Sequence, residues 1–75
     1  MKKYEILFNA ANEHPTYLNI EKIVNMLNGK LLEYRIIKND MYKVIIEINS
    51  AAFRLITKLT LRSKNIQQVY IIQIP

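Results

Sequence analysis

The sequence predicts an α+β domain whose elements run strand, helix, strand, strand, helix, strand. Three observations carry that prediction. Four stretches alternate apolar and polar residues with period two, two stretches repeat apolar residues at i, i+3, i+4 and i+7, and an Asn-Asp pair joins the two middle strands. A chain of 75 residues with 51% apolar composition has material for one core, so residues 1–75 are read as a single domain.

In the first strand Tyr4, Ile6 and Phe8 point one way and Glu5 and Leu7 the other. The strand ends before Asn12-Glu13-His14-Pro15. From Leu18 to Leu27, Ile20, Ile23, Val24 and Leu27 share one helical face, with Thr16 or Asn19 as the cap and Gly29 as a left-handed stop. Lys30 to Lys38 alternates again, setting Leu32, Tyr34 and Ile36 against Leu31, Glu33, Arg35 and Ile37. Asn39-Asp40 is a turn signal, and Met41 to Ile48 follows as the hairpin partner with Tyr42, Val44, Ile46 and Ile48 on one side. Asn49-Ser50 offers the next helix cap, and Ala52, Leu55, Ile56 and Leu59 repeat the helical spacing up to an end between Leu59 and Ser63. Ile66 to Ile74, rich in β-branched residues, closes the chain as the last strand.

Right-handed crossovers place both helices on one face of such a sheet. The expected fold is therefore a ferredoxin-like βαββαβ sandwich, a four-stranded antiparallel sheet with its first and third strands central. The helices should cover Tyr4, Ile6, Phe8, Val44, Ile46, Val69 and Ile71. That leaves Leu7, Met41, Ile45, Tyr70 and Ile72 on the open face among Glu5, Lys43 and Glu47. Apolar side chains gathered on an open face suggest a protein partner, against the alternative of ordinary strand composition on a mixed surface.

Composition limits the chemistry. Without cysteine, disulfides and thiolate metal sites are excluded, and His14 alone cannot build a zinc site. No cofactor is called for. Glu13 beside His14 reads as a solvated turn, and Asn9-Ala10-Ala11-Asn12 lacks the glycines and the basic residue of a phosphate cradle. With no nucleophile next to a base and no carboxylate pair in a cleft, an enzyme is the least favoured class. No acidic residue ends the first strand to hold a metal, which disfavours a nuclease. Tyr4 to Phe8 is too short for a signal-peptide core, and no apolar run approaches the ~20 residues that span a bilayer, so a soluble chain without a membrane partner is expected.

Eleven basic against six acidic residues give a net charge of +5, which directs attention to polyanions, although heavy use of Ile, Asn, Lys and Tyr also fits an AT-rich genome. Lys2 and Lys3 open the chain, Arg54, Lys58 and Arg62 follow each other at i+4 along the second helix, and Lys64 comes after them. Lys30, Arg35, Lys38 and Lys43 form a second set on the hairpin. Such groups either contact phosphates or simply solvate a surface. The third strand, Met41-Tyr42-Lys43-Val44-Ile45-Ile46, lacks the base-stacking aromatics of an RNA recognition motif.

The opening Met1-Lys2-Lys3-Tyr4-Glu5-Ile6-Leu7-Phe8 resembles that of small-subunit ribosomal protein six. The close, Leu59-Thr60-Leu61-Arg62-Ser63-Lys64 followed by Asn65 to Ile72, is similar to that family's end. Lys30, Leu32, Tyr34 and Ile36 match in register its signature Gly-x-Lys/Arg-x-Leu-Ala/Ser-Tyr-x-Ile. Glu33 stands where the family has a small residue, Gly29 sits one position late, and the hairpin is trimmed. The resemblance implies a non-catalytic component of the small ribosomal subunit, in a bacterial cytoplasm or an organelle. It would bind rRNA and a neighbouring protein of the protein-eighteen type, with Lys2 and Lys3 in the basic amino-terminal positions. The other reading is a homodimeric regulatory module of the same fold with a small ligand at its interface; the chain lacks the glycine-rich loop such modules use.

Overall fold

The computed structural model describes residues 1–38 and 40–75. Its elements are β1 (Lys2–Asn9), α1 (Glu13–Met26), β2 (Lys30–Lys38), β3 (Met41–Ile48), α2 (Phe53–Ser63) and β4 (Tyr70–Ile74). The sheet is antiparallel in the order β2-β3-β1-β4, which is the ferredoxin-like arrangement with two helices on one face.

The core lies between sheet and helices, where Tyr4, Ile6, Phe8, Val44, Ile46, Ile48 and Ile71 meet Ile20, Ile23 and Val24 of α1 and Phe53 of α2. Period-two burial along β1 and β3 follows from the pleat, since alternate side chains point to opposite faces. On the helix side an aromatic run joins the elements. Phe8 stacks on Tyr42, Tyr42 tilts against Tyr34, and Tyr34 stacks on Tyr17 of α1 with ring centroids 4.3 Å apart.

The first helix starts at Glu13, not Leu18, so neither Thr16 nor Asn19 caps it. Pro15 sits in the first helical turn, where the amides it cannot supply have no intrahelical partner. Asn9 instead caps a single 3-10 turn, Ala10–Asn12, its side chain accepting from the Ala11 amide at 2.8 Å. The helix stop is Asn28, with φ of 58°, and not Gly29. The Gly29 amide donates to the Val24 carbonyl at 2.8 Å and that of Asn28 to Asn25, which closes a Schellman motif. Gly29 is small for a different reason: a Cβ there would lie 3.0 Å from the Glu47 carbonyl oxygen and from Ile48.

The second helix ends the same way. Asn65 has φ of 59°, and Ile66 donates to Leu61 at 2.9 Å while its buried side chain anchors the turn. Ile66 is therefore part of the cap, and the last strand begins only at Tyr70, after a second left-handed residue, Gln68 at φ 61°. The buried stripe of α2 is Phe53, Thr57 and Leu61 with Ile56 beside it; Leu55 and Leu59, expected inside, are 62% and 54% exposed. Ala52, which carries no side chain capable of capping, precedes the helix, and Ser50 only accepts from the Ala52 amide at 3.3 Å.

The alternation of β2 is broken as well. Leu31 pairs with Ile46 and Glu33 with Ile45, so Leu32 is an extra residue in a bulge, and a second break follows Ile36. The first bulge shifts the pleat by one, which puts Leu31, not Leu32, with Tyr34 against the core and leaves Leu32 exposed; Ile36 keeps the face of Tyr34, paired with Tyr42, yet is exposed near the hairpin end of the edge strand. Asn39 of the expected turn lies outside the described residues; the Asp40 carbonyl accepts from the Ala10 amide at 2.7 Å.

Candidate binding surfaces

The open face of the sheet is a grid whose rows follow from strand register. One row runs Lys30, Glu47, Lys3, Ile74; the next Glu33, Ile45, Glu5, Ile72; the third Arg35, Lys43, Leu7, Tyr70; and the last Lys38, Met41, Asn9. All five residues expected to form a protein-partner face, Leu7, Met41, Ile45, Tyr70 and Ile72, therefore point the same way. They do not share one row. Leu7, Tyr70 and Ile72 adjoin on the β4 side, Ile45 is separated from Ile72 by Glu5, and Met41 stands at a corner beside Asn9.

Charge fills the other half. Lys43 Nζ lies 3.8 Å from Glu5 and 3.7 Å from Glu33, whose Oε2 is 3.1 Å from Arg35 Nε. The network ties β1, β3 and β2 together, and it removes Arg35 and Lys43 from the supply of free cations. Arg35 was expected to contact phosphate, and its Glu33 partner now competes for that role.

Apart from Lys22 on α1, the remaining lysines and arginines fall into three places. Lys2, Lys3 and Lys30 lie at one end of the sheet: Lys3 and Lys30 flank Glu47 on the open face, while Lys2, paired with Ile48, is on the helix side. Lys38 is exposed at the opposite, hairpin end. Arg54, Lys58 and Arg62 line the flank of α2 that faces β4, with Lys64 at its C-cap. Among the described residues none of these pairs with an acid within ion-pairing distance.

A groove of about 500 Å³ runs between α2 and the chain entering β4, lined by Lys58, Leu61, Arg62, Val69 and Ile71. It continues into a hollow of about 290 Å³ where Arg54 and Lys58 approach Tyr70 and Ile72. Sequence reading found the cations but not the groove, because its wall depends on where β4 begins.

The tyrosines near α1 are perturbed by their surroundings. Burial, the neighbouring Glu13 carboxylate and the adjacent Tyr42 and Tyr17 push the Tyr34 hydroxyl far above the usual tyrosine range, and burial together with Glu21 raises Tyr17, whose hydroxyl donates to Glu21 at 3.3 Å. Such groups stay protonated and serve as donors. Among the described residues no set of three His, Asp or Glu side chains is placed to hold a metal ion, and no helix is long and apolar enough to cross a membrane. No protein-family model matches the chain, and no curated protein matches it in sequence.

Proposed function

We propose that the chain is a binding component of a ribonucleoprotein particle, of the small-subunit ribosomal protein six type, which contacts rRNA through Lys2, Lys3 and Lys30. The observation that carries this reading is the placement of those lysines at one end of the sheet, Lys3 and Lys30 on the open face and Lys2 beside them on the helix side. They stand far apart in the sequence, at the basic amino terminus and at the start of the resembling signature, yet the sheet brings them to one end, exposed. Lysines so placed contact phosphates and set position without reading bases, which suits a structural component. Leu7, Tyr70 and Ile72 supply a smaller apolar surface for a neighbouring protein.

The test is sedimentation of a native extract through a sucrose gradient, with detection of the chain across the fractions. Wild-type chain should travel with small-subunit particles. Reversing Lys2, Lys3 and Lys30 to glutamate should shift it to the top fractions while the circular dichroism spectrum is unchanged. Recovery of the wild type only as free protein, or full particle occupancy by the reversed variant, defeats the proposal.

A further inference from the structure

The two edges of the sheet are treated differently. β2 is a guarded edge: it is interrupted by two register breaks and carries Lys30, Glu33, Arg35 and Lys38. β4 pairs with β1 in unbroken register, its sequence Tyr-Ile-Ile-Gln-Ile holds no charge and no proline, and among the described residues its other side has no neighbouring strand. An open, apolar edge is a template for another strand, and the basic flank of α2 overhangs this one.

From this edge and the cations above it we infer a second binding site, beyond the function proposed above: β4 accepts an extended acidic segment of a partner protein as a fifth strand. The spacing specifies the segment. Arg54, Lys58 and Arg62 succeed each other four residues apart on a helix, ~6 Å of rise per step. Side chains on one face of a strand repeat every ~6.6–6.8 Å. Alternate residues of an incoming strand thus meet successive cations, and long side chains absorb the mismatch of about 1.5 Å that accumulates over two steps. The segment that fits carries Asp or Glu at every second position, facing α2. Its intervening residues are apolar and extend the surface of Leu7, Tyr70 and Ile72 on the open face.

A second copy of the chain fits this edge poorly. Pairing β4 with itself about a two-fold axis sets one row of Arg54, Lys58 and Arg62 against another, with no acid ion-paired to them among the described residues. An RNA strand would satisfy the cations but would leave the outward amides and carbonyls of β4 to water.

The test is fluorescence anisotropy of a labelled, end-blocked peptide alternating glutamate and valine, titrated with the full chain. Three comparisons accompany it: a peptide of the same composition with its glutamates in one block, the alternating peptide N-methylated at every second backbone nitrogen, and the R54E/K58E variant, whose changed residues are exposed. The alternating peptide should bind, and the other two peptides and the variant should each bind about 10-fold more weakly or worse, since each ion pair contributes a few-fold and its reversal costs as much again. Equal binding by the blocked or N-methylated peptide reduces the site to general anion capture and overturns the proposal. Self-association of the chain at the same concentrations assigns the edge to a second copy, and displacement of the peptide by oligouridylate assigns the groove to RNA. Either result overturns it too, as does an absence of binding.

Discussion

Thr57 lies on the face of α2 that packs on the sheet, fully buried, and its hydroxyl has no hydrogen-bond partner. A helical threonine ordinarily donates to a carbonyl one turn back. A buried hydroxyl without that bond carries its desolvation cost, ~1–3 kcal/mol. Valine has the same shape, the same branching at Cβ and nearly the same helix propensity. Thr57→Val should therefore stabilise the domain by about 1–2 kcal/mol, removing the orphaned polar group without opening a cavity. For a domain of this size each kcal/mol moves the melting temperature by roughly 4–8 °C. The assay is urea and thermal unfolding followed by far-ultraviolet circular dichroism, as the chain has no tryptophan. A rise in midpoint with an unchanged urea slope is the expected result. Thr57→Ser is the control: it keeps the hydroxyl, loses a buried methyl, and should cost about 1 kcal/mol. If Thr57→Val lowers or fails to move the midpoint, the hydroxyl has a partner and the reasoning is refuted. Thr16, equally buried and unpartnered on α1, should respond in the same direction.

Further outcomes follow from particular residues. Gly29→Ala places a methyl 3.0 Å from the Glu47 carbonyl oxygen and Ile48, and unfolding should show a loss of roughly 1–2 kcal/mol. Asn65→Gly relieves a left-handed φ of 59° and should stabilise by a few tenths of a kcal/mol up to ~1, whereas Asn65→Val should cost ~1–2 kcal/mol, both measured by urea unfolding. Tyr34 is raised by burial first and by Glu13 next, so above the ordinary tyrosine range, about pH 10, the unfolded chain releases a proton that the native state keeps. The native state then binds more protons, and stability falls as pH climbs from there. Tyr34→Phe should flatten that alkaline decline in a series of melts, and an unchanged pH profile would assign the decline to other groups.

The order of elements, the hairpin and its limits, and the core positions of β1, β3 and α1 were legible in the sequence. Each rests on a local periodicity of two or 3.6 residues that the backbone itself imposes. The placement of the five open-face residues was legible for the same reason, since Leu7, Tyr70 and Ile72 alternate with buried neighbours. The buried face of α2 was not. Leu55 and Leu59 satisfy helical spacing as well as Phe53, Thr57 and Leu61 do, and only packing against Tyr4 and Ile71 selects between the stripes. Phe53 could have signalled the right one, as the largest apolar residue of the segment.

By itself the sequence determined a cysteine-free, basic, ferredoxin-like chain with lysines and arginines in several clusters, because composition and local pattern are properties of the chain. Tertiary structure alone decided which cations pair, which converge and which edge stays open. Arg35 and Lys43 are neutralised by acids on other strands or on the bulged β2, Lys30 reaches Lys3 only through the β3 register, and β4 is shortened by left-handed residues at Asn65 and Gln68. The Lys43 pairs and the approach of Lys30 to Lys3 join segments distant in the chain, set by register and packing, and no local pattern encodes them; the Arg35–Glu33 pair and the left-handed turns at Asn65 and Gln68 are local features selected by the folded backbone.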